Sequence, residues 1–224
     1  MTSDDRESIT TAPKYQSELA FWKSWLGQHG LGARTAYYRK FMLDMGGLKD
    51  ETCFDDAICL DIGSGPMGSL TWLPKAKAAI GLDPLADQYR QFGIDAHDML
   101  YLKARAEEIP LPSSYVDAVF SMNSLDHVDD LPAVCREIRR VLKPGGVFLG
   151  SINLHEPATP TEPWTLTTEF LDRLLFQDWT REYYEIRPKV DDGGDPYRYF
   201  FEDCPPELVD SITACALWCR MRVV

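Results

Sequence analysis

The chain has 224 residues, is 45% hydrophobic, and carries 35 acidic against 23 basic residues, for a formal net charge of −12. That length suits one α/β domain with an extra segment, or two small domains, and the apolar content argues against a disordered chain. The acidic balance argues against nucleic acid, since the basic stretches 34–40 and 136–143 are short and fall on predicted helix faces. A small molecule is the expected partner, and the oligomeric state stays open.

The cysteines and the amino terminus indicate a compartment. The six cysteines include no Cys-x-x-Cys pair and have no histidine nearby in sequence, so no metal site is predicted. The first stretch, MTSDDRESITTAP, is polar and acidic, unlike a signal peptide, and no run approaches the ~18 apolar residues of a membrane span. We therefore expect a cytoplasmic protein with reduced thiols and no membrane partner.

The predicted elements follow in chain order. Residues 1–14 are expected to form a flexible tail, and 15–50 a helical segment with a glycine-containing break at 27–32. Apolar strands then alternate with helices, which favours an α/β fold with a mostly parallel, doubly wound sheet. The strands are AICLDIG, AKAAIGLD, a less apolar one within YLKARAEEIP, YVDAVFSMN and GVFLGSINL, and the helices between them include PLADQYRQFG and LPAVCREIRRVL.

The carboxyl-terminal third has a weaker pattern. The loop HEPATPTEPW leads to a helix in TLTTEFLDRLLF, where threonines are available as caps. WTREYYEIRPKV and ALWCRMRVV predict two final strands separated by the turn DDGGDP. The aromatic run YRYFF is either a hairpin partner or an insertion.

A glycine-rich turn in CLDIGSGPMGSL suggests a nucleotide site. Gly63, Gly65 and Gly68 have G-x-G-x-x-G spacing, after a strand and before a predicted helix that starts near Pro66. Glycines let backbone N–H groups approach a ligand closely. Asp83 ends the next strand, where a carboxylate can accept both ribose hydroxyls of an adenosine. These features suit NAD and S-adenosylmethionine almost equally.

Two details separate these cofactors. Asp61 precedes the glycines, and an anion there is unfavourable beside a pyrophosphate but favourable near a sulfonium and an ammonium. No tyrosine has a lysine four residues later, so the Tyr-x-x-x-Lys pair of short-chain reductases is absent. Both details count against hydride transfer.

Four pieces of the sequence, LDIGSG, GLDP, AEEIPLPSSYVDAVFSMNSLDHVDD and CREIRRVLKPGG, resemble the class I S-adenosylmethionine-dependent methyltransferases in order and spacing. The resemblance runs from about Ala57 to Leu154, a little under half of the chain. It implies S-adenosylmethionine as cofactor and a Rossmann-like, seven-stranded sheet whose last strand is antiparallel. It also implies an N-terminal helical lid at 15–50, lining the substrate pocket, before a methyltransferase domain at 51–224.

The resemblance implies cofactor contacts at strand ends. Those for the methionine portion and the ribose are Asp61, Gly63, Ser64, Gly65 and Asp83, with Pro84 or Leu85 beside adenine. Those for the adenine edge are Ala106 and Glu107, and those near the reactive methyl are Met122 and Asn123.

One position departs from the family. Relatives often carry an acid where this chain has Arg105, so either Glu107 or a backbone carbonyl would receive the adenine amino group.

The candidate for a general base is His127, which follows the fourth strand at the expected ligand edge. The alternative is that it only packs against or caps the next helix. Further substrate contacts are expected from Trp22, Tyr37, Tyr38, His155 and Glu156. The aromatic ones indicate a flat or apolar acceptor, such as an aromatic compound.

Three functions remain open. The first is methyl transfer to an oxygen or nitrogen atom of a small molecule. The second is a non-catalytic S-adenosylmethionine-binding partner or sensor. The third, disfavoured by Asp61 and the missing Tyr-x-x-x-Lys, is an NAD-dependent oxidoreductase.

Overall fold

A computed structural model describes residues 12–30, 34–189, 198–202 and 214–224. Its strands are β1 (Ile58–Ile62), β2 (Ala78–Leu82), β3 (Leu100–Leu102), β4 (Val116–Met122), β5 (Leu142–Leu154), β6 (Thr180–Lys189) and β7 (Ala214–Arg222). They form one sheet in the order β3-β2-β1-β4-β5-β7-β6. Only β7 runs antiparallel to its neighbours, β5 and β6, and the remaining described pairs are parallel. The predicted seven-stranded sheet is confirmed.

The described helices flank this sheet or precede it. They are α1 (Pro13–His29), α2 (Thr35–Met45), α3 (Ala86–Tyr89), α4 (Leu131–Val141), α5 (Thr168–Leu174) and α6 (Arg198–Phe201). The predicted N-terminal helices are present, and α1 begins at Pro13, so the end of the predicted tail is helical. Residues 1–11 lie outside the described part of the chain.

Alternate residues of the central strands pack on opposite faces of the sheet. Leu60 of β1 and Val119 of β4 belong to the core under α4 and α5, whereas Cys59 and Phe120 belong to the core under α2. This period of two, with apolar residues on both sides, is what a strand buried between two helix layers requires. Asp61 is therefore directed to the α2 face.

The helix after β4 is specified by its own sequence. Asp130 accepts a hydrogen bond from the backbone N–H of Ala133 at 3.0 Å, which satisfies an orphan donor of the first turn. The buried residues of α4 recur at helical spacing and form one stripe against the sheet: Leu131, Val134, Cys135, Ile138 and Val141. The helix that LPAVCREIRRVL predicts is thus confirmed.

The prediction of a helix after the glycine turn is wrong. The described residues between β1 and β2 form consecutive turns, with no helix starting at Pro66. Gly65 and Gly68 have φ of +55° and +65°, which interrupts the right-handed α conformation. PLADQYRQFG is only partly α-helical, since α3 is one turn long and passes into a 3₁₀ turn before Gly93.

The carboxyl-terminal predictions are largely confirmed. Strands β6 and β7 pair directly, so YRYFF is not the hairpin partner, and its Arg198–Phe201 is the short helix α6. Thr167 caps α5 by accepting from the N–H of Phe170. Strand β5 begins at Leu142, earlier than predicted, with a register shift against β4.

Two further predictions concern the described residues. The five described cysteines are free, and Cys204 lies outside the described ranges. None of the described helices has the length and apolar character needed to cross a bilayer.

Candidate functional site

The glycine turn lies where the carboxyl ends of β1, β2 and β4 meet. The N–H groups of Gly63 and Ser64 both donate to the carbonyl of Leu82, at 2.8 and 3.3 Å, which bends the chain across the end of β2. A Cβ on Gly63 would lie 2.5 Å from the Cβ of Ser124, so only glycine fits there. This edge of a doubly wound sheet is where such folds bind ligands.

Asp83 holds the turn from the neighbouring strand. Its Oδ2 accepts from the N–H of Gly65 at 3.1 Å, and its Oδ1 from the N–H of Leu85 at 2.8 Å. Burial raises the pKa of Asp83 to about 7, although these backbone hydrogen bonds favour the charged form. The carboxylate therefore organises the loop as well as facing the cavity.

Asp61 is the second buried acid of the site. Its Oδ2 accepts from the hydroxyl of Ser69, whereas its buried Oδ1 has no hydrogen-bond partner among the described residues. Burial raises the pKa of Asp61 to about 7, and the Ser69 hydrogen bond offsets part of that shift. A buried acceptor without a partner is costly, so a cationic or N–H-bearing ligand would satisfy it.

Glu107 is already engaged by protein donors. Its Oε1 accepts from Arg105 at 3.1 Å and from the backbone N–H groups of Asp129 and Asp130 at 2.8 and 3.2 Å. Burial raises the pKa of Glu107, but these hydrogen bonds outweigh it and hold the pKa below its ordinary value. Arg105 also pairs with Asp129 at 2.7 Å. A backbone carbonyl is therefore the better candidate for the adenine amino group.

These elements enclose a cavity of about 450 Å³. It is within the size range of small-molecule sites. Among the predicted contacts, those that line it are Trp22, Tyr37, Tyr38, Asp61, Gly63, Ser64, Gly65, Asp83, Pro84, Ala106, Glu107, Met122, Asn123 and His127.

Helix α1 covers the glycine turn. A Cβ on Gly65 would lie 2.9 Å from Cζ2 of Trp22, so the indole packs directly on the bare backbone. The indole Nε1–H donates to Oε1 of Glu18, one turn earlier, at 2.7 Å. At the start of α1, Lys14 pairs with Asp129 at 2.8 Å. The helical segment thus closes one side of the cavity.

His127 also lines the cavity, and its imidazole lies near two carboxylates. Its Nε2 is 3.5 Å from Oε1 of Glu162 and 3.9 Å from Oδ1 of Asp126. Asp126 is buried, and burial raises the pKa of its carboxyl group. Trp164 donates to the carbonyl of Val128 at 2.8 Å, which ties the loop that carries Glu162 to the segment after β4.

His155 and Glu156 do not line this cavity. Glu156 pairs with Lys189 of β6 at 2.5 Å, and His155 is exposed with φ of +62°. Four polar residues of the cavity lining were not predicted from the sequence: Glu18, Ser69, Ser151 and Glu162. The position of Glu18 could have been predicted, because it precedes Trp22 by one turn of the predicted helix. Glu162 could not, because it lies in a proline-containing loop without periodicity.

The sequence model of a family described as "Methyltransferase domain" matches residues 60–150. The match starts in β1 and ends in β5, so it spans the glycine turn, Asp83 and His127. This segment is similar to a methyltransferase domain, as the sequence motifs shared with the class I S-adenosylmethionine-dependent methyltransferase family imply. S-adenosylmethionine is the cofactor that this family implies.

Curated relatives carry three kinds of methyltransferase name. A ubiquinone/menaquinone biosynthesis C-methyltransferase from Caulobacter sp. (strain K31) is 39% identical over 64 residues, 29% of this chain and 25% of the relative. A malonyl-(acyl-carrier protein) O-methyltransferase from Serratia marcescens is 36% identical over 96 residues, 41% and 36% of the two chains. A dimethylglycine N-methyltransferase from Parasynechococcus marenigrum (strain WH8102) is 29% identical over 98 residues, 40% and 35%. The matched segment therefore spans about a quarter to a third of these relatives.

Solved structures share the fold. YcgJ from Bacillus subtilis has a TM-score of 0.61 at 15% identity, with 84% of this chain and 98% of that chain covered. An S-adenosylmethionine-dependent methyltransferase from Mesorhizobium loti has a TM-score of 0.55 at 18% identity, covering 85% and 98%. At these identities the likeness concerns the fold alone.

The residues of the site fit this cofactor. The unpartnered Oδ1 of Asp61 and that of Asn123 are acceptors suited to an ammonium group, and the glycine turn offers close approach to bare backbone. Among the described residues, no three His, Cys, Asp or Glu side chains are grouped so that they could hold a metal ion.

Proposed function

We propose that this chain transfers a methyl group from S-adenosylmethionine to a small-molecule acceptor. The observation that carries the proposal is the convergence of Asp61 and Asp83 on the glycine turn, with one oxygen of Asp61 buried and unpartnered. An anionic, glycine-lined pocket of this kind favours a ligand with positive charge and ribose hydroxyls over a dinucleotide.

Each part of the pocket has a proposed role in holding the cofactor. Asp61 and the backbone of Gly63, Ser64 and Gly65 would hold the methionine portion, and Asp83 the ribose. Pro84 and Ala106 would border adenine. Met122 and Asn123 would lie near the methyl group. Glu107 would support this wall through Arg105 and the Asp129 amide.

When bound, S-adenosylmethionine supplies a methyl group on a sulfonium, and transfer requires a nucleophile in line with the breaking bond. Orientation of the acceptor is the main contribution that the protein can make to such a displacement. Trp22, Tyr37 and Tyr38 line the cavity and would position the acceptor. His127 would accept a proton where the acceptor must lose one.

The test is calorimetric titration of the protein with S-adenosylmethionine, S-adenosylhomocysteine and NADH. Micromolar binding of the first two compounds, without binding of NADH, supports the proposal. If neither S-adenosylmethionine nor S-adenosylhomocysteine binds, the proposal is overturned. Methyl-donor turnover with candidate acceptors then distinguishes an enzyme from a binding partner or sensor. Because the relatives are named C-, O- and N-methyltransferases, the methylated atom has to be identified by these turnover experiments.

A further inference from the structure

The walls of the cavity are unequally charged. Its described lining has two basic residues, Lys14 and Arg105, whereas the acidic ones are Glu18, Asp61, Asp83, Glu107 and Glu162. Both basic groups are paired with Asp129, at 2.8 and 2.7 Å. Neither is therefore available to receive an anionic acceptor.

Most of the lining carboxylates already have protein donors. Asp83 accepts from two backbone N–H groups, Glu107 from Arg105 and two others, and Glu18 from Trp22. Asp61 belongs to the proposed cofactor side. The carboxylate of Glu162, in contrast, lies beside His127, with Oε1 and Nε2 3.5 Å apart.

A second carboxylate lies near the same histidine. Asp126 is 4% exposed, and its Oδ1 has no hydrogen-bond partner among the described residues. That oxygen is 3.9 Å from Nε2 of His127. Two carboxyl groups therefore lie near this part of the wall, which favours a cationic ligand here.

The rest of the acceptor side is aromatic. Phe21, Trp22 and Tyr37 line the cavity, and Phe21 is 55% exposed even though it is apolar. Aromatic faces and carboxylates together are the usual surroundings of a bound ammonium group.

We propose that the methyl acceptor is an amine, whose nitrogen is received by Glu162 and His127 within the aromatic wall. This inference rests on the proposed function. Before transfer, the ammonium proton passes to Nε2 of His127, and Glu162 stabilises the imidazolium formed. The nitrogen lone pair then forms the N–C bond, while the electron pair of the broken C–S bond stays on sulfur.

The test uses three compounds with the same ring and chain but different head groups: 2-phenylethylamine, 2-phenylethanol and phenylacetate. Each is titrated calorimetrically into the complex of the protein with S-adenosylhomocysteine. We expect the amine to bind about tenfold or more tightly than the alcohol, because a charge-assisted hydrogen bond is worth at least ~1.4 kcal/mol. Phenylacetate should bind most weakly.

Two variants assign the preference to Glu162. Glu162→Gln should reduce the amine-to-alcohol ratio to about one while leaving S-adenosylhomocysteine affinity unchanged. Glu108→Gln removes an exposed carboxylate outside the cavity and should keep the ratio. An alcohol or carboxylate that binds as well as the amine, absence of amine binding, or a ratio that survives Glu162→Gln would each overturn the inference. Failure of S-adenosylhomocysteine to bind would instead refute the proposed function on which it rests.

Discussion

The backbone N–H of Gly65 donates to the carboxylate of Asp83 at 3.1 Å, so the turn after β1 and the acid after β2 form one unit. The same carboxylate accepts from the N–H of Leu85 at 2.8 Å. An acid that holds the loop in this way prepares the surface that a cofactor contacts. Changes at Asp83 are therefore expected to affect both binding and stability.

Asp83→Ala should weaken S-adenosylmethionine binding by about 1–3 kcal/mol, because the ribose hydroxyls lose a charged acceptor. It should also lower the melting temperature, since two backbone donors lose their partner. Calorimetry and thermal unfolding measure the two effects. Asp98→Ala, which removes an exposed acid, should change neither. An unchanged dissociation constant in Asp83→Ala would refute the ribose role.

Gly65→Ala should destabilise the protein more than Gly145→Ala. Both glycines have positive φ, which costs a substituted alanine about 1–2 kcal/mol. A new Cβ at Gly65 also lies 2.9 Å from Trp22, whereas at Gly145 it meets nothing within 4 Å. Urea unfolding should show a larger loss of unfolding free energy for Gly65→Ala than for Gly145→Ala. In the Trp22→Ala background, Gly65→Ala should no longer have this excess cost. Equal costs at both glycines would show that Trp22 does not rest on this backbone.

The stability of Asp61→Asn relative to the wild type should increase as the pH rises from about 4 to 7. The folded pKa of Asp61, about 7, lies above the ordinary 3.8, so the folded state retains a proton that the unfolded state releases. Over this pH range the Asp61 carboxyl ionises in the unfolded state before it does in the folded state, which lowers the free energy of unfolding of the wild type by on the order of 1 kcal/mol or more. The amide of the Asp61→Asn variant does not ionise, so this loss is absent there. Denaturant unfolding at several pH values measures the difference, with Asp98→Asn as the exposed control. A difference that does not vary with pH would contradict the raised pKa.

His127→Ala should lower turnover about a hundredfold or more and leave S-adenosylmethionine affinity within about twofold, because a general base acts on the acceptor proton. Radiolabelled methyl transfer and calorimetry give the two values. His155→Ala, at an exposed site outside the cavity, is the matched control. Full activity in His127→Ala would assign this histidine to packing alone.

The predicted fold was largely correct where local pattern decides it. The strand AICLDIG, the helix LPAVCREIRRVL and the final two strands are all present, because their apolar spacing matches the period of the element. The helix expected at Pro66 is absent, since Gly65 before it and Gly68 after it take positive φ in a turn packed beneath Trp22, His97 and Thr71. The local sequence pattern does not predict tertiary contacts of this kind.

The candidate site divides in the same way. By itself, the sequence determined the glycine turn, Asp61 and Asp83, because each follows or ends a strand whose apolar pattern is unambiguous. Only the tertiary structure brought Glu162 to His127, engaged Glu107 with the backbone N–H groups of Asp129 and Asp130, and moved Glu156 away to Lys189. The physical reason is that strand ends are set by neighbouring residues, whereas these partners come from loops and edges that are distant in the chain and meet only when the sheet has formed.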